Sequence, residues 1–224
     1  MSAGSPVAVK GLEAGYLPGR PAISEIGFEV PAGRRVAVLG PNGGGKTTLF
    51  RALLGEAPHR RGDVRVDGAP AYVPQTEGTR LDYPVSALDV VLMGTYGSLP
   101  WYRRVGSEQR GAARRALERV GLAGEAESRF GALSGGQRRR VLIARSLARG
   151  ARVLLLDEPL SGVDRPSGER IGTVLSELRD EGRAILVSTH DIGQARDFDL
   201  VLCINGRQIA FGPPAEVLTS GVLE

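Results

Sequence analysis

The sequence is poor in several things. Among its 224 residues there is one cysteine, Cys203, and only two lysines and two histidines. Cys203 sits in the apolar run "LVLCI" and reads as a small buried side chain, so there is no disulfide framework. No uninterrupted apolar run approaches the roughly 18–20 residues that cross a bilayer. The first ten residues, "MSAGSPVAVK", lack the apolar core of a signal peptide. No repeats and no low-complexity tracts occur. What remains, 42% hydrophobic and 24% charged, describes a soluble globular chain of one large domain, or a domain with a subdomain. The expected compartment is the cytoplasm.

The net charge of +4 is carried almost wholly by arginine, spread along the chain with a local cluster at Arg138, Arg139 and Arg140. Such spreading is the mark of arginine-biased coding, and no nucleic-acid partner is expected from it. The scarcity of lysine makes Lys46 conspicuous. His59, in "APHRRG", reads as an exposed loop residue.

The pattern changes twice along the chain. "PVAVKGL", "ISEIGFEV" and "RRVAVLG" read as strands, and "KTTLFRALLGE" as a helix. "GDVRVDG" and "PAYVPQ" are strand-like again. From about residue 81 to 149 the pattern is helical, in "SALDVVLMGTYG", "SEQRGAARRALERVG" and "GGQRRRVLIARSLARG". Then "ARVLLLD" and "RAILVSTH" form continuous apolar runs, as in strands buried on both faces. The amphipathic helix "SGERIGTVLSELRDEG" lies between them. "DLVLCING" and "RQIAFG" read as a hairpin turned by Asn205-Gly206. The expected fold is α/β: a parallel-sheet core with helices on both faces, a β-rich start and a helical insertion. Residues 1–80 and 150–224 would form the core, and residues 81–149 the insertion.

"GPNGGGKTT" matches G-x-x-x-x-G-K-[ST], with an apolar strand before it and a helix after it. In the loop Gly40, Pro41, Asn42, Gly43, Gly44 and Gly45, the glycines would let backbone N–H groups point toward phosphate oxygens, helped by the positive end of the helix. Lys46 would reach the β- and γ-phosphates, Thr47 would place its hydroxyl on Mg²⁺, and Thr48 completes the loop. The alternative, a glycine-rich turn joining strand to helix, does not require the lysine and threonine at these positions. "VLLLDEP" supplies a second part. Asp157, at a strand end, would hold Mg²⁺, and Glu158 would act as general base on the attacking water. Taken alone, the pair also fits a solvated strand end. His190 ends the strand "ILVSTH". It would lie near the γ-phosphate, or be a hydrogen-bonded histidine at a strand-to-helix turn.

One stretch resists assignment from residues alone. "LSGGQ", residues 133–137, places two glycines and a serine before a helix, as a phosphate loop does, yet has no lysine or threonine to complete one. Ser134 can cap the following helix, expected to begin near Gly136, and its hydroxyl with the amides of Gly135 and Gly136 can donate to phosphate.

Together these residues resemble the nucleotide-binding subunit of an ATP-binding-cassette (ABC) transporter. Tyr16, the loop 40–48, Gln75 in "YVPQ", LSGGQ, "LLLDEP" with "SGVD", and His190 occur in that family's order over nearly the whole chain. The resemblance implies a P-loop NTPase (RecA-like) core with an antiparallel β-subdomain and an inserted α-helical subdomain, and an ATPase whose cofactors are ATP and Mg²⁺. It implies that Tyr16 stacks on adenine, although a plain strand tyrosine fits the residue too. It implies that Gln75 contacts Mg²⁺ or the lytic water and senses a membrane partner; the alternative is an exposed loop glutamine. Asp164 would reach toward a partner's phosphate loop; the family often has S-A-L-D where this chain has "SGVD". Ser134, Gly135, Gly136 and Gln137 would cover the γ-phosphate held by a second, head-to-tail copy. A lone monomer would then hydrolyse ATP poorly. The implied partners are a second cassette, most simply a homodimer, a permease, and an extracytoplasmic substrate-binding protein. The implied place is peripheral, on the inner face of the cell membrane.

Residues 81–105, "LDYPVSALDVVLMGTYGSLPWYRRV", resemble one subgroup of the family, importers of manganese, zinc or chelated iron. Asp82, Pro84, Val85, Asp89, Val90, Val91, Met93, Gly94, Tyr96, Trp101, Arg103 and Arg104 fit its wording, and Thr95 stands where arginine is common. A core helix of the subdomain is the alternative reading of this stretch; an edge for a permease's coupling helix is the other. The interval from Lys46 to Gln75 is shorter than usual, which predicts trimmed loops around "HRRGDV". The sequence closes soon after "GPPAEV", with no regulatory domain expected there. An ABC ATPase for another cargo, or a soluble one not linked to transport, are the alternatives.

Overall fold

The computed structural model describes residues 4–75, 84–100, 102 and 105–219. In chain order its elements are β1 (Val7–Gly15), β2 (Ile23–Val30), β3 (Arg35–Leu39), α1 (Lys46–Leu54), β4 (His59–Val66), β5 (Ala71–Val73), α2 (Ala87–Met93), α3 (Ser107–Arg119), α4 (Gly135–Ala148), β6 (Val153–Leu156), α5 (Arg165–Asp180), β7 (Ala184–Thr189), α6 (Ile192–Ala195), β8 (Leu200–Ile204), β9 (Gln208–Gly212) and α7 (Pro214–Val217). Two compact units emerge. One holds Met1–Tyr72, Arg152–Glu158 and Leu178–Glu224; the other holds Val73–Ala151 and Pro159–Glu177. Among the described residues no helix is long and apolar enough to cross a membrane.

In the first unit, β2, β1 and β4 form an antiparallel sheet. The other sheet runs β5-β6-β7-β3-β8-β9, with β6, β7, β3 and β8 parallel and β9 antiparallel to β8. Side chains alternate along a strand, and here both alternating sets are buried. Val36 and Val38 of β3, with Leu202 and Ile204 of β8, pack with Leu49 and Phe50 of α1 and with Val9 and Ile26 of the antiparallel sheet. Ala37 and Leu39, with Val201 and Cys203, pack on the opposite face against Ala195 and Val217 of the last two helices. That double burial explains why the parallel strands read as continuous apolar runs.

The β8–β9 hairpin differs from the two-residue turn that Asn205-Gly206 predicts. Its loop is 205–207, Ile204 pairs with Gln208, and only Gly206 has a positive φ, 66°. Gly206 N–H donates to the Gly44 carbonyl (3.0 Å), and Arg207 bridges to Ser24. These contacts hold the turn residues outside the β8–β9 ladder.

In the second unit α2, α3 and α4 pack on one another. Ser86 caps α2 in a reciprocal box with Asp89: Asp89 N–H donates to Ser86 Oγ (3.1 Å), and Ser86 N–H to Asp89 Oδ2 (3.0 Å). The Ser86 hydroxyl also donates to Asp89 Oδ2 (2.6 Å), and that bond first, then the one from Ser86 N–H, holds the Asp89 carboxyl below its usual range. The unit is wider than the 81–149 segment read from the pattern. It begins at Val73 and takes in Pro159–Glu177. The reason is α5. Its Glu177 pairs with Arg119 at the end of α3 (3.1 Å), and Arg170 donates to the Arg119 carbonyl. The boundary at 80/81 and the subgroup residues Asp82, Trp101, Arg103 and Arg104 lie outside the described residues.

Candidate functional site

The loop 40–48 joins β3 to α1 and is shaped by what glycine permits. A Cβ on Gly40 would clash with the Ile204 carbonyl, so β8 passes directly behind the loop. Gly45 caps α1 with φ 99°, a left-handed backbone that other residues rarely adopt. Lys46 is buried, and its ammonium points back into the loop. It donates to the Gly40 carbonyl (2.8 Å) and the Pro41 carbonyl (3.1 Å) and lies 3.6 Å from Glu158 Oε1. Pro41, Asn42 and Gly43 are exposed, while Gly44 is buried beneath them.

Three neighbouring parallel strands end together here. β6 delivers Asp157, β7 delivers His190, and β3 delivers the loop. Asp157 is buried and held by three hydroxyls. Thr47 (2.8 Å) and Tyr72 (3.2 Å) donate to Oδ2, and Ser188 (2.5 Å) donates to Oδ1. Burial, then the charge of Asp157, pushes the Tyr72 phenol well above the ordinary range, so it stays a donor. Tyr72 is also fixed by an edge-on contact with Phe50, 6.4 Å between centroids. Glu158 has a positive φ of 45° without being glycine. Such a backbone costs about 1–3 kcal/mol and gathers at functional sites. His190 Nδ1 is 3.6 Å from Glu158 Oε1 and largely exposed. The Thr47 hydroxyl and the Asp157 carboxylate meet at 2.8 Å, a pair of oxygen donors suited to a hard divalent cation shared with phosphate oxygens.

Tyr16 follows β1 and is 44% exposed. The Arg51 guanidinium lies 5.5 Å from its ring centroid, and the Thr48 hydroxyl donates to its hydroxyl (3.4 Å). An aromatic face beside the phosphate loop can take a nucleobase.

In the second unit α4 starts at Gly135, one residue before the start read from the pattern, with Ser134 as its cap. Gln137 N–H donates to Ser134 Oγ (3.2 Å), and Ser134 N–H donates to Gln137 Oε1 (2.8 Å). The Gln137 side-chain carbonyl is therefore engaged in the capping box. Gly135 is exposed and Gly136 buried. A Cβ on Gly136 would lie 2.5 Å from Asp164 Oδ1 and 2.6 Å from Ser167 Oγ. Asp164 turns its carboxylate to the first turn of α5, accepting from Ser167 N–H (3.0 Å). That bond first, then the Ser167 hydroxyl, with Arg140 adding, holds the Asp164 carboxyl below its usual range. Gln75 is exposed directly after β5. Arg139, 2% exposed, donates to the Pro74 carbonyl beside it (2.8 Å).

The geometry thus gathers Tyr16, residues 40–48, Asp157, Glu158 and His190 in one unit, and Ser134, Gly135, Gly136, Gln137 and Asp164 in the other, with Gln75. Sequence reasoning missed Tyr72, Ser188 and Arg139. The signals were slight: a phenol within a short buried strand, a hydroxyl in an otherwise apolar strand, and one arginine of three that belongs inside.

Comparison with known proteins shows the family. The model of the ABC transporter family matches residues 23–161. The manganese transport system ATP-binding protein MntB of Bacillus subtilis is 39% identical over 209 residues, 89% of this chain and 84% of that protein. The zinc transport system ATP-binding protein TroB of Treponema pallidum is 40% identical over 209 residues, 89% of this chain and 79% of that protein. The chelated iron transport system membrane protein YfeB of Yersinia pestis is 40% identical over 220 residues, 93% of this chain and 74% of that protein. Among solved structures, a metal-chelate type ABC transporter in an inward-facing conformation superposes with a TM-score of 0.88 at 31% identity, covering 98% of this chain and 87% of that one. The chain belongs to the ABC transporter family, as one of its ATP-binding, ATP-hydrolysing cassettes.

Proposed function

We propose that this cassette drives import of a metal ion, manganese, zinc or chelated iron, through a separate permease. The names of the relatives support the cargo. The convergence of Lys46, Thr47, Asp157, Glu158 and His190 at one sheet edge supports the chemistry. Two copies would pack head to tail, so that Ser134, Gly135, Gly136 and Gln137 of one cover the γ-phosphate held by residues 40–48 of the other. LSGGQ lacks a lysine because it completes a site that the other copy's Lys46 occupies.

Tyr16 would stack on adenine. The amides of Gly40 and of Asn42 to Gly45, with Pro41 and Thr48 beside them, would cradle the phosphates, and Lys46 would leave its carbonyl partners for the β- and γ-oxygens. Thr47 and Asp157 would hold Mg²⁺, aided by Gln75; the bound ion neutralises phosphate charge. Glu158 would take the proton of the attacking water, with His190 at the γ-phosphate. Asp164 would reach across the interface toward residues 40–48 of the second copy. ATP favours the closed pair because it touches both copies there, and hydrolysis removes that preference. Gln75 and the helical unit would pass the movement to the permease, which holds the cassette at the inner face of the membrane. A substrate-binding protein on the other side would deliver the cargo.

A deletion strain tests the cargo: loss of manganese, zinc or chelated-iron uptake, restored by the intact gene but not by the Lys46→Ala form, is expected. Unchanged uptake of all three would overturn it.

A further inference from the structure

We propose that Ser188 is the positioning residue that aims both carboxylates of the hydrolytic site. The inference rests on the reading that Asp157 and Glu158 act at the γ-phosphate. Ser188 lies on β7 opposite Val38 of β3 and is 0% exposed. Its hydroxyl donates to Asp157 Oδ1 (2.5 Å) and accepts from the Glu158 backbone N–H (2.9 Å). A hydroxyl has one proton and two lone pairs, so one oxygen performs both roles at once.

Each bond fixes something specific. With Oδ1 held by Ser188, the carboxylate cannot rotate, and Oδ2 is left facing Thr47 and Tyr72. Glu158 sits at φ 45°, a backbone that persists only where its surroundings hold it. The bond to its N–H secures the peptide that leads into that conformation. The side chain it aims is the one 3.6 Å from Lys46 and 3.6 Å from His190. An apolar residue at 188 would continue the strand equally well by burial, as Leu186 and Val187 do. What the hydroxyl adds is a bond to each of Asp157 and Glu158.

The test uses the purified full chain with Ser188→Ala, Ser188→Val and Ser188→Thr. Valine and threonine have the same shape, so any strain from the added methyl group is shared and their difference isolates the hydroxyl. Circular dichroism checks folding. Loss of an outer-shell partner of this kind typically costs about 10–100-fold. That loss is expected in kcat for the alanine and valine forms, with threonine restoring turnover. A second readout needs no hydrolysis: the gain in ATP affinity on adding Mg²⁺ to an EDTA-treated sample shrinks in the alanine form, while the affinity in EDTA is kept. In a Glu158→Gln background Ser188→Ala still shrinks that gain but removes no further turnover. Wild-type turnover and Mg²⁺ gain in Ser188→Ala, or equal impairment of valine and threonine forms, overturns the proposal. If Glu158→Gln alone hydrolyses at the parent rate, the base reading itself has failed.

Discussion

Two adjacent glycines of LSGGQ should respond in opposite ways to the same substitution. Nothing lies within 4 Å of a Cβ built on Gly135, whereas one on Gly136 meets Asp164 Oδ1 at 2.5 Å, Ser167 Oγ at 2.6 Å and Ser167 Cβ at 2.9 Å. Gly136→Ala must displace the Asp164 carboxylate, which takes away the bond from Ser167 N–H at the start of α5. Loss of a helix cap costs about 0.5–2 kcal/mol, and overpacking about 1–3 kcal/mol. Gly→Ala in a compatible backbone returns about 0.4–1 kcal/mol. The net is a destabilisation of about 0.5–4.6 kcal/mol. In a chain of this length each kcal/mol moves the midpoint by about 2–4 °C. Gly136→Ala should therefore melt about 1–18 °C below the parent, and Gly135→Ala at or slightly above it. Differential scanning fluorimetry of the two variants side by side measures this. Equal midpoints, or a Gly135→Ala form that melts lower than Gly136→Ala, would refute the packing argument.

Replacing Arg139 by methionine keeps its bulk but leaves the Pro74 carbonyl without the 2.8 Å bond; urea unfolding should show a loss of about 1–3 kcal/mol. Asp164 gives a pH signature. Its folded carboxyl is held below the ordinary value, so its contribution is complete above the unfolded value, about 3.9, and is lost as pH falls through the folded one. The stability gap between wild type and Asp164→Asn should be constant near neutrality and close in acid; a gap that widens in acid would contradict the assignment.

The sequence was most legible where chemistry constrains spacing. The loop 40–48 needs its glycines and its lysine at fixed steps, and the strand and helix that the sequence sets around it are β3 and α1. β6 and β7 read correctly because burial on both faces leaves a continuous apolar run. Contacts between distant segments were not legible. Nothing near Ser188 in the chain announces that its partner is Asp157, 31 residues away. Pro159–Glu177 joins the helical unit through Arg119 and Arg170, contacts that no periodicity encodes. The resemblance gives Asp164 a partner-facing role, and aspartate three residues before Ser167 is also a helix-start signal, a local bond that its carboxylate makes. The Ser134–Gln137 box was readable as S-x-x-Q, and it engages a glutamine side chain otherwise assigned to nucleotide.

The central claim is that Glu158 supplies the base for hydrolysis in a site completed by a second copy. Glu158→Gln tests it in one measurement: light scattering on a sizing column with Mg²⁺ and ATP, with nucleotide in the peak identified. The expected result is a dimer that retains unhydrolysed ATP, with turnover reduced by about 10²–10⁴-fold, while the parent returns to monomer as ATP is consumed. A Glu158→Gln form that stays monomeric with ATP bound, or that hydrolyses at the parent rate, would contradict it.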